Sequence, residues 1–225
     1  VQDTAERFGA AFRRVTVHVG EGPNLEARAR TARYAALPPD VLTGHTADDQ
    51  AETVLINLLR GAGSAGLAAM QPTCQRPLLA LRRTDTVGLC RELGLVTVDD
   101  PSNNDPRHQR NRVRHELLPL MYDIAQRDVV PLLTRQADVA RDDHALLDEL
   151  AATIDPTDAR ALAVAPPPLA RRAVRRWLTD GYPPDLASVE RVLDVARGIV
   201  VACEVGGGRR VERTNQRLRL VPFGD

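Results

Sequence analysis

A chain of 225 residues, 43% of them hydrophobic, can form one large domain or two small ones around a real apolar core. With 30 basic and 30 acidic residues its formal charge is zero, so overall charge gives no case for a nucleic-acid partner and only local patches could attract phosphate. No run of eighteen apolar residues occurs and VQDTAERFGA at the start lacks the signal-peptide pattern, so the default address is the cytoplasm; Cys74, Cys90 and Cys203 form no CxxC pair and read as isolated thiols.

In chain order, residues 2–9 resemble the end of a helix, and FRRVTVHV (12–19) has the β-branched alternation of a strand. Asn24 caps a helix in NLEARARTARYAAL, and DVLTG (40–44) is a short apolar run feeding GHTADDQAETVLINLLRG, which reads as a helix from about Thr46. A further helix is expected over 84–93, capped by Thr84, and a strand over LVTV (95–98). Helices alternating with short apolar strands imply an α/β layer with a largely parallel sheet. From about Arg110 the chain changes character. Long helices are expected in NRVRHELLPLMYDIA, in VVPLLTRQADVARDDHALLDELAATI and, after APPP, in LARRAVRRWLTDG, with a glycine-turned β-hairpin in VVACEVGGGRRVERTNQRLRLV. A boundary falls near residue 120, separating residues 1–120 from a mainly helical 121–225.

The helix after Thr46 has two faces. At 100° per residue His45, Asp49 and Glu52 fall within about 60° of one another, opposite Ala51, Val54, Leu55 and Leu58. Thr46 suits an N-cap, and Asp48 and Asp49 suit the positive end of the helix dipole, at ~0.3–1 kcal/mol each. Capping accounts less well for His45, which precedes the cap, and Glu52, which lies beyond the first turn. A strand running into this helix would set the trio at the carboxyl edge of the sheet, where open α/β folds bind ligands.

GAGSAG (61–66) fits G-x-G-x-x-G, but a helix precedes it where a dinucleotide fingerprint needs a strand, so these glycines are expected to end the helix. GGG at 206–208 has no P-loop lysine. Basic residues, all of them arginine, cluster in RHQRNRVRH (107–115) and RRAVRR (171–176). Arg110 and Arg114 lie four apart with Asn111 beside them, a clamp suited to phosphate oxygens; cations at a helix start are unfavourable unless an anion or acidic partner offsets them.

In order and spacing, NLEARARTARYAAL, GHTADDQAETVLINLLRGAGSAGLAAM, RPLLALRRTD and DPSNNDPRHQRNRVRHELLP resemble the tRNA(Ile)-lysidine synthetase family of PP-loop ATP pyrophosphatases, over about residues 24–119. The resemblance implies a PP-loop (adenine nucleotide alpha hydrolase-like) catalytic domain followed by a smaller helical tRNA-binding domain. It implies ATP-dependent attachment of free lysine to carbon 2 of the wobble cytidine of an isoleucine tRNA with a CAU anticodon, through an adenylated cytidine. His45, Asp49 and Glu52 would line the lysine and ATP site, Asp49 also meeting Mg and Glu52 an ammonium group of lysine. Arg30 and Arg114 would meet phosphate or the lysine carboxylate, and Arg110 and Asn111 complete the substrate-binding set through the phosphate clamp read above from helix spacing. No membrane is implied, and a homodimer is left open.

The superfamily's SGGxDS pyrophosphate loop does not occur in the 225 residues. That loop supplies backbone N–H groups to ATP phosphates, and the expectation is that it lies upstream of Val1, so that the α/β domain here lacks its first strand and loop. Two alternatives stay open at this level: another PP-loop tRNA-modifying enzyme such as a thiolase, for which the three cysteines make no recognisable pair, or a non-catalytic tRNA-binding remnant.

Overall fold

The structure, a computed structural model, describes residues 1–22, 25–98, 103 and 105–222. Contacts divide the chain into two compact units, Val1–Asp138 and Val139–Asp225.

The first unit is helical: α1 (Gln2–Arg7), α2 (Leu25–Ala35), α3 (Ala47–Leu59), α4 (Ser64–Leu67), α5 (Arg83–Glu92), α6 (Gln109–Arg112), a π-helical turn (Val113–Leu117), α7 (Leu118–Ala125) and the start of α8 (Val130–Ala152). Ala47, Ala51 and Leu55 repeat every four residues on α3 and bury in one cluster with Val113, Leu118, Val129 and Val130. The apolar face is covered only over its first turns, since Leu58, placed there by the helical projection, is 56% exposed. Beside it, buried Gln50 fixes the chain at Met70, donating to its carbonyl and accepting its N–H, both at 3.0 Å.

Helix α3 ends as the glycines require. Gly61 takes φ +72 and donates to the Leu58 carbonyl at 2.9 Å, while Ala62 donates to Asn57 O at 2.9 Å, the paired bonds of a Schellman stop. A Cβ on Gly66 would sit 2.5 Å from that of Ala62, so glycine there serves packing. In the α6–α7 helix the π turn ends at Leu117, two residues before Pro119, which has no N–H to give the regular ladder.

The expected parallel sheet is not formed among the described residues. Residues 12–19, 40–44 and 95–98 hold no strand, and the only sheet among the described residues is antiparallel and lies elsewhere in the chain. Alternating β-branched residues make a strand only when a neighbour takes their N–H and C=O groups and something covers one face. Val96 is 94% exposed, and 40–47 is tied instead by single bonds, Thr43 N–H to Gln75 O at 2.8 Å and Ala47 N–H to Leu81 O at 2.9 Å. Arg82, rather than Thr84, is the N-cap of α5, with its N–H on Asp85 at 2.8 Å. The expected Asn24 cap and most of the turn-rich stretch 99–104 lie outside the described residues.

In the second unit α9 (Ala159–Val164), α10 (Pro167–Leu178) and α11 (Leu186–Arg197) pack with β1 (Ala202–Gly206), β2 (Arg209–Thr214) and β3 (Arg217–Pro222). The strands run antiparallel in the order β1-β2-β3, so the expected hairpin is followed by a second. That second turn is Asn215–Gln216, both at positive φ as a two-residue hairpin needs. Asp158 caps α9 and Asp185 caps α11, each carboxylate accepting backbone N–H groups, and sequence reading missed both helices. The apolar face of α10 (Ala170, Ala173, Val174, Leu178) meets that of α11 (Val189, Val192, Leu193, Ala196) and the inner residues Val205, Val211 and Leu218 of the sheet.

Candidate active site

The first turns of α3 carry the site. Thr46 is the N-cap in extended conformation, and one oxygen of Asp49 accepts both its N–H (2.8 Å) and its hydroxyl (2.9 Å). That leaves the other Asp49 oxygen free to face Arg83, whose Nη2 lies 2.9 Å away.

Glu52, one turn further, is 0% exposed. A buried carboxylate persists only with partners, and three guanidiniums supply them: Arg83 Nη2 on Oε1 at 3.1 Å, Arg110 Nε on Oε2 at 2.9 Å, and Arg114 as a fork, Nε on Oε1 at 2.7 Å and Nη2 on Oε2 at 3.1 Å. Arg114 also comes within 3.6 Å of Asp49. The inner cluster thus holds three cations against two carboxylates. Asp48 points the other way, taking Nε and Nη2 of Arg82 at 3.2 and 3.0 Å and the backbone N–H of Arg83 at 2.7 Å.

These partners set the charge states. Burial works against ionising Asp49 and Asp48, yet the Thr46 N–H and Arg83 for Asp49, and Arg82 with the Arg83 N–H for Asp48, hold both carboxyls below the ordinary range. Burial also lowers His45, and Arg110, Arg30 and Arg76 push the same way against Asp49, so its imidazole is neutral at pH 7. The Thr43 hydroxyl donates to Gln75 O at 3.2 Å and lies 2.9 Å from His45 Nδ1. These contacts fix the ring's orientation, and the donor and acceptor roles of its two nitrogens follow the tautomer.

Of the residues singled out in the sequence, Asp49, Glu52, Arg110 and Arg114 meet directly. His45 and Arg30 join them through charge, and exposed Arg30 stacks on Tyr34 at 4.9 Å. Asn111 is buried and donates to Asp105 O at 2.9 Å, which anchors the loop before α6.

Residues 1–121, which include every member of this cluster, match the family described as PP-loop domain. Proteins named tRNA(Ile)-lysidine synthase are similar over most of the chain: that of Nocardia farcinica is 44% identical over 96% of this chain and 73% of its own length. Those of Rhodococcus erythropolis (40%, covering 92% and 68%) and Mycobacterium leprae (41%, covering 90% and 66%) are similar too. The chain belongs to the tRNA(Ile)-lysidine synthase family.

The PP-loop match carries ATP binding with it, and in this lysidine synthase family member the cation-rich cluster has the charge to receive phosphate. Among the described residues no group of three His, Cys, Asp or Glu side chains could hold a metal ion, and Mg²⁺ that arrives with a nucleotide requires only one or two carboxylates beside the phosphates. Arg82 and Arg83 are site residues that sequence reading passed over. Two arginines at a helix start oppose the dipole, which is the signal that marked Arg110 and Arg114 and that applies equally to RRTD.

Proposed function

We propose that the protein ligates free lysine to carbon 2 of the wobble cytidine of isoleucine tRNA with a CAU anticodon, using ATP and forming lysidine. The supporting observation is the match to lysidine synthases over nine-tenths of the chain or more, together with the ion-pair cluster that lies inside the PP-loop match. In the first step the cytosine carbonyl oxygen attacks the α-phosphorus of ATP and pyrophosphate leaves; Arg110 and Arg114, with Arg83 and Arg30, supply the cations that meet phosphate or the lysine carboxylate. Asp49 would offer a nucleotide-borne Mg²⁺ one carboxylate, the ion supplying charge screening for the phosphates.

In the second step the amine of lysine attacks carbon 2 and AMP leaves. An amine of pKa about 10.4 is neutral in roughly one molecule in a few thousand at pH 7, so the attack needs a proton acceptor. His45, neutral and carrying a lone pair, takes that proton, while Asp49, the more accessible carboxylate at 17% exposure, receives the ammonium before transfer, and Glu52, buried among three guanidiniums, holds the arginines in place. Asn111 holds the loop that leads to Arg110. Residues 121–225 bind the tRNA body, with the arginines of α10 as the cationic face. A cytoplasmic address goes with this reading, because tRNA and free lysine meet there.

The test is incorporation of labelled lysine into isoleucine tRNA bearing CAU by the full-length protein with Mg-ATP. ATP-dependent incorporation is expected, and none from a folded preparation overturns the assignment.

A further inference from the structure

We propose that Arg82 is a positioning residue of this site: it fixes the start of α5 against α3 and so aims the Arg83 guanidinium at Asp49 and Glu52. For its activity readout the inference rests on the lysidine reaction proposed above.

The geometry is that of a junction within the first unit. Arg82 places Nε and Nη2 on Asp48 of α3 at 3.2 and 3.0 Å, Nη2 also on the Tyr122 hydroxyl of α7 at 3.3 Å, and Nη1 on Asp128. Asp128 in turn accepts the Tyr122 hydroxyl at 2.6 Å and the Val130 N–H at 2.9 Å, which ties in the start of α8. The Asp48 carboxylate that grips the Arg82 side chain also takes the Arg83 backbone N–H at 2.7 Å. Side chain and main chain of consecutive residues are thus held by one carboxylate, and the next guanidinium reaches Asp49 at 2.9 Å and Glu52 at 3.1 Å.

The dipole of α5 works against this arrangement. Arg82 and Arg83 stand at its N-cap and first residue, where the helix dipole repels cations. Asp48, Asp85 and Asp128 offset the first arginine and Asp49 and Glu52 the second. A lysine at 82 would keep the charge but could not hold Asp48 through a fork while reaching Asp128 with a third nitrogen.

The experiment compares Arg82→Lys and Arg82→Ala in the full-length protein, each in the wild-type and the Arg83→Ala background. With Arg83 present, kcat for lysine ligation should fall about tenfold, with KM for lysine and ATP changing less than about twofold, because the misplaced group acts on the reacting complex. In the Arg83→Ala background the same change should cost less than about twofold, since a residue acting through another loses its effect when that other is gone. Equal losses in both backgrounds, or no loss with Arg83 in place, overturn the proposal. An independent readout is the Arg83 guanidinium signal in a nitrogen–proton spectrum, identified by its loss in Arg83→Ala; it should move towards that of solvent-exposed arginines in Arg82→Lys, and an unchanged signal overturns the proposal. If the wild type ligates no lysine but this signal moves, the positioning role stands and the reaction assignment fails. Should both Arg82 variants fail to fold, Asp128→Asn, which touches neither Asp49 nor Glu52, should give the same pattern at smaller size, and its absence is again decisive against.

Discussion

The two units bury opposite kinds of material. In the second, α10 and α11 turn aliphatic stripes towards one another and towards β2 and β3, and the core is Val, Leu and Ala almost throughout. In the first, α3 buries alanines on one face and, on the other, a carboxylate at 0% exposure surrounded by guanidiniums. Apolar burial stabilises at roughly 25 cal/mol per Å², whereas a buried ion pair recovers little beyond its own desolvation. The difference teaches that the first unit accepts charges where hydrocarbon would serve stability better, because those charges fix the positions of arginines.

The largest expected break of that contrast is Glu52→Gln. The amide keeps the shape but leaves three guanidiniums without their common counter-charge, and removing one partner of a buried pair costs about 3–5 kcal/mol. Thermal unfolding should show that loss, and lysine ligation should fall by about 10²-fold or more as the arginines lose their alignment. A variant with wild-type melting and turnover would return Glu52 to an incidental role.

Leu193→Ala in the second unit should destabilise by a similar amount for the opposite reason. Deleting a leucine that is 1% exposed costs about 2–5 kcal/mol through lost transfer and a cavity. Turnover per folded molecule should stay unchanged below the melting range. A fall in kcat measured there would show that the apolar unit, too, sets catalytic geometry.

Acid should separate the units. Asp48 and Asp49 have folded pKa values below 3.8, so the stability they contribute is fully present above that value and is lost as pH falls through and below it. His45 acts in the same direction earlier: its folded pKa lies below 6.5, so the unfolded chain takes up that proton first and stability declines as pH drops beneath 6.5. Hydrogen exchange followed from pH 7 to pH 4, where His45 takes up its proton while Asp48, Asp49 and the α11 cap Asp185 stay ionised, should show α3 amides losing protection before those of α11. Simultaneous loss would mean that the charged cluster does not govern the first unit. Activity should hold as pH falls from 7 towards 6.5 and decline below it as His45 protonates, a limb that His45→Gln should remove along with most of the rate, by ~10²–10⁴.

The same contrast explains what the sequence disclosed. Helices α3, α8 and α10 were legible because an apolar stripe at helical spacing is a local property, and so was the glycine stop after α3. The joining of Asp49, Glu52, Arg110 and Arg114 was legible only through motif order, since some sixty residues separate the carboxylates from Arg110 and Arg114. Arg82 and Arg83 carry the same dipole signal as Arg110 and Arg114, but which carboxylates they meet appears only when the start of α5 lies beside α3. The strands expected at 12–19 and 95–98 failed for the complementary reason: β-branched alternation states a propensity, and pairing is a property of neighbours.

The smallest expected effect tests whether local turn chemistry in the second unit is as independent of the site as this division requires. Asn215 sits at φ +48 in the two-residue turn between β2 and β3, where Thr214 pairs with Arg217. Asparagine enters the left-handed region more readily than alanine, whose Cβ crowds the following carbonyl at about 1–2 kcal/mol per residue. Since asparagine bears part of that strain as well, Asn215→Ala should lower the unfolding free energy by about 1 kcal/mol, read as a shifted urea midpoint at constant m-value. The β2–β3 register is also set by the alternation that buries Val211 and Leu218, so the strands should keep their pairing. Ligation should be unaffected, and a turnover loss without a midpoint shift would mean that this turn meets the tRNA instead of merely closing a hairpin.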